Sequence, residues 1–444
     1  MNNKKNTIEQ LFSFIKKSPT SYHAAQTTKE MLEANGFQML QENTPWTLTP
    51  GGRYFVTRNL SSVIAFCLPQ NDPGNFHITA SHSDSPSFKI KENPELPSGD
   101  MYVRLNVEKY GGMLMAPWMD RPLSVAGRVL IRNGNTIVTK LVNIDRDLLL
   151  IPNLAIHMNR DANNGLRYDP QKDMLPLYGD LSDKNTFFQQ IAEAAGVDPE
   201  QIIGHDLFLY SRTPGTIWGA DRQFISCGRL DDLQCAYASL MGLLSADVHS
   251  GIAVHCMLDN EEVGSSTKQG AASSFLKDTL TRICICLGKT QQDYYAMLAS
   301  SFMLSADNAH AVHPNLPEKA DPTNRPAMNQ GIVIKYNANQ KYTTDGVSAA
   351  VFKSICQIAD VPYQTFLNRS DMAGGSTLGN ISNTQVALNT VDIGLAQLSM
   401  HSPYETAGAK DTDYLIRAVR TFYESSICCL EDGRYTVEAG AWKS

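Results

Sequence analysis

The order of apolar and polar positions along the chain predicts an alternating α/β protein that is interrupted once. Near the start, TIEQLFSFIKK and SYHAAQTTKEMLEANGF place apolar residues at helical spacing, and the second pattern ends at Gly36. The runs YFVTRN, SSVIAFCLP and NFHITAS follow and are typical of strands. An ordinary α/β chain would continue with a helix after HSDSP, but no helical pattern comes next.

The interruption has the composition of a β-rich insertion. From about Lys91 to Arg222 the chain is rich in glycine, proline and strand patterns. In RVLIRNGNTIVTKLV two alternating runs flank Asn133 and Gly134, which is the strongest short-range signal for a hairpin. We therefore predict an inserted β-rich domain at 92–222, between two segments, 1–91 and 223–444, of one discontinuous α/β domain.

Alternation resumes after the insertion. The segments RLDDLQCAYASLMGLLSA and AASSFLKDTLTRI predict helices, as do Val347 to Ile358 and the stretch from Thr412. The segments GIAVHCML, YYAMLASSFML and TQVALNTVDIG predict the intervening strands. The predicted fold class is α/β, with a mixed sheet.

Composition and charge narrow the function classes. An apolar share of 42% with 19% charged residues indicates a folded globular protein. A formal net charge of -7 argues against nucleic acid or an anionic membrane as the main partner. The nine cysteines form no CxxC pair, and the N-terminus lacks the continuous apolar core of a signal peptide. We expect a cytoplasmic protein.

Residues that commonly bind metals recur where predicted strands end or helices begin. In an open α/β sheet the functional crevice lies at the carboxyl ends of the strands. A polar turn, a helix cap, a surface loop or a structural histidine could explain each position separately, whereas one metal site explains them together. The positions are His82 and Asp84, Asp231 and Asp232, Glu261 and Glu262, Asp307, and His401.

The mixture of ligand types favours two metal ions. Two imidazoles and three carboxylates without a thiolate suit zinc, cobalt or manganese. Five protein ligands are too many for one open catalytic zinc, whereas two ions about 3.5–4 Å apart that share a carboxylate would use them all. If Glu261 and Glu262 lie in an extended segment they point to opposite sides, so that one binds metal and the other faces the bridging water as general base.

The motifs in this order resemble the aspartyl aminopeptidase family of co-catalytic zinc exopeptidases. The resemblance rests on HSDSP, RLDDLQ, LDNEEVGS, SADNAHAVHPN and LSMHS, and on SPTSYHA, PNLAIHMNR, HDLFLY and NANQKY, and it covers essentially the whole chain. It implies a zinc-exopeptidase domain with an inserted β-rich dimerisation domain, peptide substrates and a homododecamer built from dimers. It also implies two zinc ions per subunit, with cobalt or manganese as possible substitutes.

The resemblance further implies a role for each ligand position. One zinc would be held by His82 and Asp307 and the other by Glu262 and His401. Asp231 would bridge the two ions, and the peptide bond after it is expected to be cis.

Four other residues are assigned in the same way. Glu261 would be the general base and Asp84 the support of His82. His157 matches a histidine that reaches into the active site of a neighbouring subunit. Lys335 matches a lysine associated with recognition of an acidic first side chain, although a lysine that protects an edge strand would look the same in sequence.

Two departures from the family pattern stand beside the site. Asp232 replaces a more common asparagine, and Tyr404 replaces an arginine. The expected reaction is removal of the N-terminal residue of a peptide, with preference for Asp or Glu, by a metal-bridged water activated by Glu261. The alternatives are a neutral-residue, leucine-type aminopeptidase, a related di-zinc carboxypeptidase or deacylase, and a non-catalytic assembly protein with structural metals.

Overall fold

The computed structural model describes residues 2–439, and it describes the side chains from residue 7 onward. Two helices and four strands precede the predicted insertion. They are α1 (Asn2–Lys17), α2 (Ser21–Ala34), β1 (Gln38–Leu40), β2 (Arg53–Arg58), β3 (Ser62–Cys67) and β4 (Phe76–His82). As predicted, no helix follows β4 directly, because the next regular element is a long strand.

The next part of the chain is mainly β-structure. Its elements are β5 (Ser87–Ser98), β6 (Tyr102–Tyr110), β7 (Leu123–Asn133), β8 (Thr136–Asn143), β9 (Leu177–Asp180), α3 (Phe187–Ala195) and β10 (Ile202–Ser211). The strands form an antiparallel sheet in the order β8-β7-β10-β5-β6-β9. The predicted hairpin is confirmed: Asn133 pairs with Thr136, and Gly134 adopts the left-handed φ of 61° that a tight hairpin turn requires.

This sheet has its own core. Phe88, Val107, Val125 and Leu207 pack with Phe187 of α3 in one cluster. Its first strand begins at Ser87, inside the segment 1–91 that was assigned to the α/β domain. The division into domains at residues 91 and 222 stays a prediction, because a sheet boundary alone does not define a folding unit.

The rest of the chain contains the remaining helices and strands. They are β11 (Thr216–Trp218), β12 (Phe224–Cys227), α4 (Leu230–Ser245), β13 (Ile252–Leu258), α5 (Phe275–Cys286), α6 (Gln291–Ala299), β14 (Phe302–Ala306), β15 (Ala309–His310), β16 (Ile332–Lys335), α7 (Gly346–Ile358), β17 (Tyr363–Phe366), α8 (Leu378–Ser382), β18 (Asn389–Gly394), β19 (Ala396–Leu398), β20 (Glu405–Gly408), α9 (Asp411–Glu424), β21 (Ser426–Glu431) and β22 (Arg434–Glu438).

A mixed nine-stranded sheet forms the centre of the α/β part, which confirms the predicted fold class. Its order is β1-β2-β3-β13-β4-β14-β18-β16-β17, and the central strands β13, β4, β14 and β18 run parallel to one another. Helices α1, α2, α4, α7 and α9 cover one face, and α5, α6 and α8 cover the other. The parallel strands are therefore buried on both sides, as their nearly continuous apolar runs predict.

Three boundaries predicted from sequence are wrong. The segment YYAMLASSFML is not one strand, because α6 extends to Ala299 and only Phe302–Ala306 is β-structure. A capping box between Thr290 and Asp293 stabilises the start of α6. The helix predicted from AASSFLKDTLTRI begins only at Phe275, and the strand predicted from TQVALNTVDIG begins only at Asn389.

Two smaller sheets complete the fold. The strands β11-β12-β20-β19-β15 form a five-stranded sheet, and β21 and β22 form a hairpin. No helix between residues 2 and 439 is both long enough and apolar enough to cross a membrane.

The close approach of β18 to the segment after β14 gives a test of the packing. A Cβ atom at Gly394 would lie 1.9 Å from the carbonyl oxygen of Asp307. We expect Gly394→Ala to lower the free energy of unfolding by about 1–3 kcal/mol, the usual cost of overpacking. Gly346→Ala is the matched control, because nothing lies within 4 Å of its added methyl group. Urea unfolding measures both, and equal midpoints for the two variants would contradict the expectation.

Candidate metal centre

Three of the predicted site segments lie at the carboxyl ends of parallel strands. His82 is the last residue of β4, Asp307 follows β14 directly, and a short 3-10 turn, Glu261–Val263, comes just after β13. Because β4 lies between β13 and β14 in the sheet, these segments meet at one edge. This is the crevice in which open α/β sheets bind their ligands.

The other two segments reach the same place from outside the central strands. Asp231 lies at the start of α4, and His401 lies in the loop between β19 and β20. The peptide bond between Asp231 and Asp232 is cis, as the family resemblance implies. Arg229 and His401 have left-handed φ values of 60° and 67°. Such conformations are uncommon for residues other than glycine and concentrate at functional sites.

Asp231 stands between two groups of potential ligands. Its Oδ1 lies 3.4 Å from Nε2 of His82, and its Oδ2 lies 3.6 Å from Nε2 of His401. Asp307 Oδ1 is 3.8 Å from Nε2 of His82 on the first side. Glu262 Oε2 is 3.4 Å from Nε2 of His401 on the second side. Each oxygen of one carboxylate thus faces a different histidine and a different second carboxylate.

The two adjacent glutamates lie in a turn and not in an extended strand. The expectation that they lie in an extended segment is wrong, because both belong to the 3-10 turn. Glu261 lines the open cleft, whereas the side chain of Glu262 is only 3% exposed. The two side chains therefore lie in different surroundings. A turn produces this difference, and not the extended segment that was expected.

The carboxylate of Asp84 fixes this turn. It accepts hydrogen bonds from the backbone N–H groups of Glu261 at 3.1 Å and Glu262 at 3.2 Å. It also accepts one at 2.7 Å from the hydroxyl of Tyr110, the last residue of β6. The ring Nδ1 of His82 is 3.0 Å from the backbone carbonyl of Asp84 and 3.4 Å from its carboxylate. Asp84 therefore contacts both the ring of His82 and the backbone of the glutamate turn.

Burial of so many acidic groups changes their protonation. The pKa of Glu261 is raised to about 8, mainly by burial; His82 opposes the rise, and Asp307, Asp84 and Asp231 add to it. Burial and the nearby Asp231 hold the pKa of Glu262 well above its ordinary value. A divalent cation would reverse these shifts, since an opposite charge favours the ionised form.

The unsatisfied polar atoms fit the binding of cations. Oδ1 of Asp231 and Oε1 of Glu262 are buried and have no hydrogen-bond partner among the described residues. In each of three groups, one potential ligand atom from every residue lies within 4.8 Å of the corresponding atoms of the others. The groups are His82, Asp231, Asp232 and Asp307; His82, Glu261 and Glu262; and Asp231, Glu262 and His401. Oxygen and imidazole donors of this kind suit zinc and similar ions.

Two carboxylates beneath the site were not assigned from the sequence. Asp232, which was among the candidate positions but received no role, is fully buried and accepts the backbone N–H of His82 at 3.0 Å. Glu405 is 1% exposed and accepts the N–H groups of Asp231 at 3.0 Å and His401 at 2.8 Å. An acidic residue beside the small residues of ETAG is the sequence signal that could have indicated Glu405.

Lys335 lies inside the protein at the inner end of the same cleft. Its strand, β16, is flanked by β18 and β17, so protection of a sheet edge does not explain the lysine. Lys335 is 2% exposed, and its ammonium nitrogen lies 3.0 Å from the carbonyl oxygen of Asn308 and 3.5 Å from Oδ2 of Asp307. Burial lowers the pKa of Lys335, but Asp307, Tyr342 and Asp392 together more than offset this, and the pKa stays above its ordinary value.

The cleft that joins these residues has a volume of about 200 Å³. Its aromatic wall is formed by Tyr342 and Phe366, with His310 beside them. The residues of the candidate centre line its other side: His82, Asp231, Glu261, Asp307 and His401.

Two predicted features lie away from this cleft. His157 is in an exposed turn, Ile156–Met158, and does not line the cleft within one chain. Tyr404, which stands where the family pattern has arginine, directs its hydroxyl to Thr216 Oγ1 at 3.0 Å and to the carbonyl of Pro214.

The fold and the candidate ligand groups fit a metal-dependent hydrolase. Residues 14–423 match the aminopeptidase I zinc metalloprotease family, M18, and the chain belongs to this family. It is thus a zinc-dependent aminopeptidase.

Similar proteins cover almost the whole chain. A Clostridium novyi protein named "Probable M18 family aminopeptidase 2" is 46% identical, and the match covers 95% of this chain and all of that protein. The structure of Ape4 in a complex with Nbr1 is 36% identical and has a TM-score of 0.92, with 95% of this chain and 86% of that one covered. The S. cerevisiae mApe1 dodecamer is 27% identical with a TM-score of 0.83, covering 95% and 99%.

Proposed function

We propose that this aminopeptidase removes acidic residues, Asp or Glu, from the N-terminus of peptides. The observation that carries the proposal is the buried ammonium group of Lys335 at the inner end of the cleft, beside the candidate metal ligands. A side-chain carboxylate in the cleft would meet a cation there, and a charge-assisted hydrogen bond in a dry pocket is stronger than a neutral one. The alternative is a broad neutral-residue aminopeptidase, in which Lys335 only supports Asp307.

The metal ligands proposed from the family resemblance agree with the distances. His82 and Asp307 would hold one zinc, Glu262 and His401 the other, and Asp231 would bridge them, as its two oxygens face the two groups. Cobalt or manganese could replace zinc in such a site. When bound, the two ions polarise the scissile carbonyl and lower the pKa of the attacking water.

Glu261 is the proposed general base. Its side chain lines the cleft, so that it can accept the proton of the attacking water and deliver it to the leaving amine. Asp84 holds the backbone of the Glu261 turn and orients His82, which is a positioning role. The peptide carbonyl and the attacking water would lie between this turn and the two histidines.

We also propose that the active enzyme is a cytoplasmic homododecamer built from dimers. The related S. cerevisiae mApe1 is a dodecamer. Near His157, the large apolar side chains of Leu154, Ile156 and Met158 are 56%, 48% and 70% exposed. A cluster of exposed apolar residues typically marks a contact surface, here with a second copy of the chain. In that assembly His157 would reach the cleft of a neighbouring subunit.

The roles of the two adjacent glutamates can be separated by substitution. We expect Glu261→Gln to keep its metal and its fold while turnover falls by about 10²–10⁴-fold, the usual contribution of a general base. Glu262→Gln should instead lose metal, because a ligand oxygen is replaced. Metal analysis and thermal unfolding accompany the assay. Loss of metal from Glu261→Gln with retention by Glu262→Gln would reverse the assignment.

Shared active sites can be tested by mixing variants. His157→Ala and Glu261→Gln chains should each be nearly inactive alone and should regain activity in mixed oligomers, where a site can combine Glu261 of one chain with His157 of another. His249→Ala is the control, because its side chain is exposed and pairs with Asp247. Mixed oligomers that are demonstrated by mass but show no recovery would contradict a shared site.

Specificity can be tested at Lys335. We expect Lys335→Met to lower kcat/KM for Asp and Glu reporters by about 10- to 100-fold more than for Leu and Ala reporters, because only acidic substrates lose a charged partner. Lys341→Met is the control, since Lys341 is exposed. Metal content is measured in parallel because Lys335 also contacts Asp307. A wild-type preference for neutral residues, or an equal loss for every reporter, would favour the neutral aminopeptidase.

A further inference from the structure

Glu405 occupies a position beneath the candidate metal centre that the proposed reaction does not use. It is the first residue of β20, pairs in register with Cys227 of β12 and is 1% exposed. Burial of a carboxylate is costly unless its oxygens are satisfied, so the contacts that satisfy them indicate what the residue does.

Both oxygens of Glu405 are used, and they bind different segments. Oε2 accepts the N–H of Asp231 at 3.0 Å, and Oε1 accepts the N–H of His401 at 2.8 Å. Burial and the nearby Asp231 hold the pKa of Glu405 above its ordinary value, and hydrogen bonds from the backbones of Asp231, His401 and Leu230 oppose this rise. Asp231 and His401 are 170 residues apart in sequence (401 − 231), and their side chains approach to 3.6 Å. One buried carboxylate thus joins the backbones of two proposed ligands of the second metal position.

A simple helix cap does not account for this arrangement. A cap satisfies N–H groups in the first turn of its helix, and the contacts of Glu405 with Leu230 and Asp231 at the start of α4 would serve that purpose. The contact with His401 is outside α4, in a loop residue with a left-handed φ of 67°. The same side chain therefore stabilises an unusual loop conformation and sets that loop against the helix start.

A second carboxylate at the site, that of Asp84, also accepts backbone N–H groups of residues in the candidate centre. Asp84 accepts the N–H groups of Glu261 and Glu262, which belong to the glutamate turn. The carboxylate of Asp84 binds backbone N–H groups of one ligand segment, whereas that of Glu405 binds backbone N–H groups of two. Removal of Glu405 should therefore disturb the separation of Asp231 and His401 while the contacts of Asp84 stay in place.

We propose that Glu405 is a positioning residue that sets Asp231 against His401 and thereby preorganises the metal position formed by Asp231, Glu262 and His401. This inference rests on the proposed two-metal site. It predicts that a change at Glu405 weakens one metal position selectively, because Glu405 binds the backbone of His401, whereas His82 and Asp307 lie beside the other oxygen of Asp231.

The test uses Glu405→Gln in the full chain after removal of metal and titration with Co²⁺. The amide keeps the size of the side chain but offers one oxygen and one NH₂ group, so that either Asp231 or His401 loses its acceptor and faces a donor. We expect wild type to bind two equivalents of Co²⁺. The variant should bind one equivalent with unchanged affinity and the second about 10- to 100-fold more weakly, the usual effect of an outer-shell substitution. The visible absorption of bound Co²⁺ should change with the second equivalent only.

Glu424→Gln is the matched control for loss of a buried carboxylate. Glu424 is 7% exposed and accepts hydrogen bonds from Asp247 N and from Arg420, with no contact to the proposed ligands. It should bind both equivalents like wild type. If Glu405→Gln does not fold, Glu405→Asp replaces it, because the shorter side chain keeps the charge but cannot reach both N–H groups.

The outcomes separate this inference from the proposed function. Two equivalents bound by Glu405→Gln or Glu405→Asp with wild-type affinity and spectrum would overturn the role of Glu405. Equal weakening of both equivalents would overturn its selectivity for one position. Wild-type protein that binds fewer than two equivalents would instead refute the two-metal site itself.

Discussion

Asp231 directs its two carboxylate oxygens at different histidines, and the arrangement of the whole cleft depends on that division. Further carboxylates, from Asp307 on one side and Glu262 on the other, approach the same pair of imidazoles. Without cations these groups repel one another, and burial adds to the cost, as the raised pKa of Glu262 shows. The protein offsets part of this cost with backbone N–H donors to Asp84 and Glu405, while Oδ1 of Asp231 and Oε1 of Glu262 have no hydrogen-bond partner among the described residues. Without cations, such a cluster of buried carboxylates is unfavourable for folding, and bound metal ions would offset that cost.

The fold brings these residues together through a few rigid contacts. Parallel strands place His82, Asp307 and the glutamate turn at one edge of the sheet, so their separations follow from strand spacing. Asp231 and His401 are not fixed by strand spacing, and their backbones are joined by Glu405. The antiparallel sheet contributes Tyr110, whose hydroxyl bonds to Asp84. A hydrogen bond between Tyr110 and Asp84 thus connects the two large sheets beside the candidate metal centre.

The sequence predicts most of this arrangement because strand ends are recognisable. His82 and Asp307 follow buried apolar runs, and the rule for open α/β sheets places such residues in one crevice. The hairpin at Gly134 was predictable for a similar reason, since its turn requires a left-handed residue. By contrast, YYAMLASSFML was misassigned because its tyrosines and apolar residues favour a strand, whereas the Thr290 capping box starts a helix. Local patterns could not give Glu405 either, because its two partners are backbone groups of distant segments.

Lys335 connects the question of specificity to the question of metal binding. Its ammonium group lies 3.5 Å from Oδ2 of Asp307, whose other oxygen faces His82. The lysine and the proposed zinc therefore share one carboxylate, and Lys335 holds the pKa of Asp307 below its usual range even though burial acts in the other direction. A substrate carboxylate that approaches Lys335 would enter a pair that already exists, and would not meet a free cation. On the proposed assignment, the binding free energy gained from an acidic side chain is consequently a difference. It is the contact of Lys335 with the substrate carboxylate minus what Lys335 loses in its contact with Asp307. Selectivity then depends on how strongly the metal draws Asp307 away from the lysine, so the metal bound at that position would influence which N-terminal residue is preferred.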